Sequence, residues 1–132
     1  MKKLLLGLLI FSASLFAEVQ HIAATPEFFT KGITVIDIRT PGEWRQTGIV
    51  KGAKTIMFFD DRGGYNVDKF LAELNKVVKK DEPFALICRT GSRTAMISDF
   101  LDKELGYKVI NLTGGMVKLT REGYTPVEYK MK

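Results

Sequence analysis

The chain has 132 residues, of which 45% are hydrophobic and 27% charged, and its formal charge is +5. That length is a prior for one domain, and the composition excludes a collagen, a disordered tail and a multi-span membrane protein. One Cys and one His exclude an internal disulfide framework and a Cys-rich zinc site, but not a reactive thiol.

Lys2 and Lys3 open the chain, and the run Leu4 to Phe16 carries no charge. A spanning helix needs about 20 apolar residues, whereas a run of about 10–14 suits the apolar region of a secretory signal. Ala17, a small residue, stands before Glu18. Residues 1–17 therefore read as a signal peptide cleaved after Ala17, the alternative being an uncleaved anchor. Cleavage leaves residues 18–132 as a single periplasmic or secreted domain without membrane contact. Loss of the two lysines takes the charge from +5 to +3. Lys76, Lys79, Lys80, Lys130 and Lys132 read as solvated charges. No basic stripe interleaved with aromatics points to nucleic acid.

The rest alternates strand and helix patterns with short connections, which predicts an α/β fold with a mainly parallel sheet of about five strands. Val19 to Ile22 is a short edge strand. Pro26 to Thr30 and Pro41 to Gln46 are short helices opened by Pro. The β-branched run Ile33 to Ile38 is a buried strand, and Lys54 to Phe58 is another. Asp60-Asp61-Arg62-Gly63-Gly64 is a polar turn whose spacing does not match a calcium loop. Val67, Phe70, Leu71, Leu74, Val77 and Val78 recur at offsets 0, 3, 4, 7, 10 and 11, one apolar face of a helix. Phe84 to Ile87 is a strand ended by Cys88. A helix begins within Ser92 to Thr94 and runs to about Leu105, with Ala95, Met96, Phe100 and Leu101 as its core residues and Gly106 as its stop. Lys108 to Leu112 is the last strand.

The chemistry gathers at Cys88-Arg89-Thr90-Gly91-Ser92-Arg93-Thr94. A buried strand ends at the Cys and a helix starts a few residues later, and ligands of open α/β sheets bind at the carboxyl ends of strands. Gly91 lets this short connection curl around the sulfur. The amides of Arg89 to Thr94 can then point inward, completed by the helix N-terminus, as a cradle for an anion. Helix N-termini and nearby Arg favour the thiolate, which is the nucleophilic form. Arg89 and Arg93 carry guanidinium forks suited to oxyanions. Ser92 or Thr94 caps the helix. The bland alternative is a Cys that merely packs in the core. The strand-end position, the Gly loop with two Arg, and an unpaired thiol in an exported chain all count against it.

This loop resembles the active-site loop of rhodanese-like sulfurtransferases. Other landmarks fall in the family's order: Asp37-Ile38-Arg39 followed by Pro41, Glu43 and Trp44, then Gly48 to Ala53, then Asn111-Leu112-Thr113-Gly114-Gly115-Met116. The likeness covers about Thr25 to Val127 and is to the exported single-domain type. It implies a three-layer α/β/α fold and a double displacement without metal or other cofactor. Cys88 takes a sulfur from a donor such as thiosulfate, becomes a persulfide, and passes the sulfur to cyanide or a thiol. The acceptor can be a small molecule or a protein. Arg89, Thr90, Gly91, Ser92 and Arg93 form the substrate loop, and Asp37 and Arg39 support it. Arg89, next to the nucleophile, is the better placed to steer the donor; by resemblance Arg93 braces the loop against Asp37. Two features depart from the pattern. Leu119 stands near where a Trp is common, and the segment just before Gly52 has no His where the family often carries one. His21 lies far upstream and is assigned no role. A Cys-dependent phosphatase or arsenate reductase is the rival enzyme class, but it needs Arg six positions after the Cys, where this chain has Thr94. A persulfide carrier or a redox or binding partner on the same fold is the rival that does not turn over.

Overall fold

The computed structural model describes residues 18–131; the 1–17 segment read as a signal peptide lies outside the described residues. Five strands form one sheet: β1 (Gln20–Ala23), β2 (Val35–Asp37), β3 (Lys54–Thr55), β4 (Phe84–Ile87) and β5 (Val109–Thr113). Their order is β1-β5-β4-β2-β3, and every pairing is parallel. The helices are α1 (Pro41–Thr47), α2 (Val67–Val77), α3 (Ser92–Lys103) and α4 (Gly115–Arg121), preceded by a 3-10 turn at Pro26–Thr30. Among the described residues no helix is long and apolar enough to cross a membrane.

Strand alternation divides the core into two layers. Phe84, Leu86 and Cys88 of β4 face Phe70 and Leu74 of α2 and Ile97 and Leu101 of α3. Ala85 and Ile87 point the other way, toward Phe28, Val50, and Met116 and Leu119 of α4. Both faces of the sheet are covered, which is why its strands read as near-continuous apolar runs. The expected three-layer α/β/α architecture is the one observed.

Element boundaries moved modestly. The edge strand starts one residue later than the sequence suggested, and β2 is shorter than Ile33 to Ile38. The Lys54 to Phe58 run keeps only two residues in ladder pairing, yet Ile56 N–H still donates to Asp37 O and Phe58 N–H to Ile38 O. The 60–64 segment is a turn, with Asp60 Oδ1 accepting the N–H groups of Arg62 (2.9 Å) and Gly64 (2.7 Å).

Two expectations are corrected. Leu101 is buried as expected and Phe100 packs partly buried against the core, but Met96 is 62% exposed and Ala95 half-buried, and the buried face of α3 is Thr94, Ile97, Ser98 and Leu101. Picking the apolar residues set the face wrongly, because two hydroxyl side chains hold sheet-facing positions. The helix α4 was not foreseen: the sequence reading stopped at the Gly-Gly turn, and its N-cap, Gly114, offers no capping side chain.

Candidate active site

Cys88 ends β4 on the α3 side of the sheet and is 1% exposed. The chain then turns at Gly91, whose φ of +98° is in the left-handed region. A Cβ there would lie 3.0 Å from the Gly114 nitrogen. This turn brings the Gly91 N–H to 3.2 Å from Cys88 Sγ. Gly91 is also the N-cap of α3 and places no side chain over the helix end. The first amides of a helix have no partner within it. The amide of the N-cap itself, Gly91, is the one turned onto the sulfur.

The carbonyls of the loop are held from the opposite side. Met116 N–H donates to Cys88 O at 2.9 Å, and Val117 N–H to Arg89 O at 3.0 Å. Thus the first turn of α4 clamps the peptide carbonyls of Cys88 and Arg89.

Among the described residues the sulfur has one side-chain hydrogen-bond partner. Cys88 Sγ lies 3.6 Å from Thr94 Oγ1, with the thiol as donor. Thr94 Oγ1 is also 3.1 Å from Gly91 O and 2.6 Å from Asn111 Oδ1. Asn111 Nδ2 is in turn 3.0 Å from His21 Nδ1. Four side chains from β4, α3, β5 and β1 therefore form one line ending on the sulfur. Sequence reasoning placed Thr94 only as a possible cap and gave His21 no role. Parallel pairing of β1 with β5 sets His21 directly beside Asn111, a contact that no local pattern announces.

The two loop arginines differ. Arg93 donates to both carboxylate oxygens of Glu43, each at 2.8 Å. Arg89 is exposed and forms no ion pair among the described residues. Its side chain borders a cleft of about 500 Å³ between α1 and α4, also lined by Gln46, Thr47 and Thr120. Thr90 and Ser92 sit on the exposed rim, their hydroxyls 3.3 Å apart.

The expected brace between Arg93 and Asp37 is corrected: Arg93 uses Glu43. Asp37 is already saturated, because Arg39 donates to it through Nε and Nη2 and Trp44 Nε1 donates to Oδ1 at 3.1 Å. Arg39, 1% exposed, also reaches Thr47 Oγ1 and Gly48 O. This cluster fastens the end of β2 to the middle and the C-terminal end of α1. Thr40 and Glu43 form a capping box at the start of that helix, which aims the Glu43 carboxylate across the site at Arg93.

The Arg93 hydrogen bond, helped by the Thr40 N–H and the charges of Arg93 and Arg39, holds Glu43 below the ordinary carboxylate range despite its partial burial. The same bond holds Arg93 above its usual value. A depressed carboxylate stabilises the fold above its unfolded titration range and loses that contribution as pH falls through the folded value. Glu43→Gln should therefore lower the thermal midpoint at pH 7 by about 2–6 °C. The gap to wild type should close below about pH 4. A gap that persists in acid would show that the charge pair is not its cause.

A parallel α/β sheet with a cysteine loop at the carboxyl end of a central strand defines a class of thiol-bearing α/β domains. This chain belongs to the rhodanese-like domain family, whose model matches residues 24–122. It is similar to a rhodanese-like domain protein from Staphylococcus aureus, at 24% identity and a TM-score of 0.63, covering 86% of this chain and all of that one. It is likewise similar to a rhodanese-related protein from Thermoplasma volcanium, at 28% identity and a TM-score of 0.60, covering 80% of this chain and 94% of that one. An uncharacterized protein of Rickettsia prowazekii is 29% identical over 97 residues, 68% of this chain and 76% of that protein.

Proposed function

We propose that this protein is an exported, single-domain sulfurtransferase that works through a persulfide on Cys88. The observation that carries the reading is the placement of Cys88 Sγ 3.2 Å from the Gly91 N–H, at the uncapped N-terminus of α3, with Arg89 free beside it. A thiolate there attacks the outer sulfur of a donor such as thiosulfate. The new Cys88 S–S bond forms as the bond to the sulfite sulfur breaks, and sulfite leaves with its electron pair. The persulfide is anionic, and the α3 amides stabilise negative charge at that point. Cyanide or a thiolate then attacks the outer sulfur, takes it as thiocyanate or a persulfide, and returns the Cys88 thiolate. No proton moves between the two half-reactions, so no histidine base is needed. Arg89 steers the donor's anionic end, while Arg93 is committed to Glu43. The uncharged 4–16 run, with Ala17 before Glu18, supports export to the periplasm or beyond. There a small-molecule donor supplies sulfur to a small-molecule or protein acceptor.

One intact-mass measurement tests both halves. Protein recovered from the exported fraction should begin at Glu18. After thiosulfate its mass should rise by one sulfur atom on Cys88, and cyanide should remove it. No added sulfur from thiosulfate or polysulfide would refute the persulfide reading. A persulfide that forms once without multiple turnover would make the protein a carrier that hands sulfur to one partner. A chain that still begins at Met1 would refute cleavage.

A further inference from the structure

The line from Cys88 to His21 has a direction that its chemistry fixes. A threonine hydroxyl has one hydrogen and two lone pairs, and an asparagine amide presents an acceptor at one end and donors at the other. With Asn111 Oδ1 toward Thr94 at 2.6 Å, the Thr94 hydrogen goes to Asn111. Only lone pairs then face the sulfur, so the contact suits a thiol that donates. With the amide turned over, Nδ2 donates to Thr94 Oγ1. The Thr94 hydrogen is then free to choose between Gly91 O at 3.1 Å and the sulfur at 3.6 Å, and a thiolate or a persulfide anion, being charged, is the stronger acceptor.

His21 chooses between the two. Nδ1 of His21 lies 3.0 Å from the far end of the Asn111 amide. A neutral ring can accept there or, as its other tautomer, donate. The imidazolium has a hydrogen on both nitrogens and only donates. It therefore selects the arrangement in which Asn111 turns its oxygen to His21 and its nitrogen to Thr94. Asn111 is 2% exposed and has no solvent to fall back on, while His21 lies on the exposed edge strand.

We propose that Asn111 and His21 are positioning residues for the Cys88 sulfur: the protonation state of His21, relayed by Asn111 and Thr94, sets whether the sulfur meets a hydrogen-bond acceptor or a donor. The consequence for sulfur transfer rests on the proposed function; the effect on the thiol itself does not. A charged sulfur and a charged His21 favour one another, so the state of the sulfur is coupled to that of the ring. The neighbouring elements bring other charges to this edge: Glu18 before β1, Lys108 before β5, and Asp99, Asp102 and Lys103 on α3, with Asp99 paired to Lys103 at 3.0 Å. None of them hydrogen-bonds the ring among the described residues. They act through space and remain in every variant below.

The test is the rate of Cys88 alkylation by iodoacetamide from pH 5.5 to 7.5, in the wild type, His21→Phe and Asn111→Leu. In the wild type, loss of the His21 proton works against thiolate formation, so the rate should climb less steeply with pH. The ratio of rates between the two pH limits should be about 3–10 times smaller than in His21→Phe. Asn111→Leu should match His21→Phe, and the double variant should add nothing to either. A structural role alone would alter stability and leave this ratio untouched. His21 is exposed, so His21→Phe reads the relay even if Asn111→Leu folds poorly. Equal ratios in wild type and His21→Phe would overturn the proposal. Alkylation does not involve sulfur transfer, so a shifted ratio without a persulfide would refute the proposed function and leave the relay standing.

Discussion

Cys88→Ser should abolish sulfur transfer while leaving the fold intact. The hydroxyl is close in size to the thiol, and Thr94 Oγ1 and the Gly91 N–H remain as its partners. The apolar neighbours of Cys88 in the core, Leu86 and Ile97 among them, lose little contact. Stability should therefore change by about 1 kcal/mol or less. Activity has no such tolerance. The hydroxyl is a poor nucleophile without a strong base, and none of the side chains lined up behind it is one. Its sulfur adduct would not form. Transfer from thiosulfate to cyanide should fall by at least about 10³-fold, to the background set by binding alone. The assay is thiocyanate release alongside a thermal melt. Retained activity with an unchanged melt would remove Cys88 from the chemistry.

The second large effect lies outside the loop, at Gly115. Its φ is +57°, and a Cβ there would sit 2.5 Å from Cys88 O and 2.6 Å from the Arg89 carbonyl carbon and oxygen. Those atoms are backbone and cannot swing aside as a side chain could. Gly115→Ala should push α4 away from the loop and break the bonds from Met116 N–H and Val117 N–H. Each such bond contributes about 1 kcal/mol, and the left-handed conformation costs Ala about 1–2 kcal/mol more. The sum, about 3–4 kcal/mol, should appear as a loss of well over 10 °C in the thermal midpoint. Displacing the nucleophile by about 1 Å should cost roughly 10²-fold in transfer rate. Gly32→Ala is the control. Its φ is also positive, +74°, but nothing lies within 4 Å of the added carbon, so it carries strain without collision. Equal losses in the two variants would show that the clamp is not what holds the loop.

What was legible in the sequence was what local periodicity and chemistry encode. The apolar alternation and β-branched runs marked all five strands, and the repeat from Val67 onward marked α2. Cys88, Gly91 and the two arginines announced a cradle because strand end, glycine turn and helix start follow one another within seven residues. What was not legible depends on residues distant in sequence and close in space. Glu43 claims Arg93 because a capping box on α1 aims a carboxylate at α3, and Asp37 was unavailable because Arg39 and Trp44 had filled it. Thr94 and Ser98 hold the inward face of α3 although neither is apolar, and a search for hydrophobic residues passes over them. His21 meets Asn111 only because β1 is laid beside β5.

That last pairing bears on how the protein is made. β5 is the final strand in the chain but sits between β1 and β4, and His21 meets a partner 90 positions away. A chain emerging from the ribosome carries β1 unpaired until nearly the whole domain has followed. Cys88 itself appears before Asn111 and before the α4 clamp. During that interval the thiol is an open side chain of an unfinished sheet, and with no second Cys in the chain it can pair only with another molecule. The last strand pairs with both β1 and β4, so the sheet around the buried thiol is complete only when the most distant parts of the chain have met.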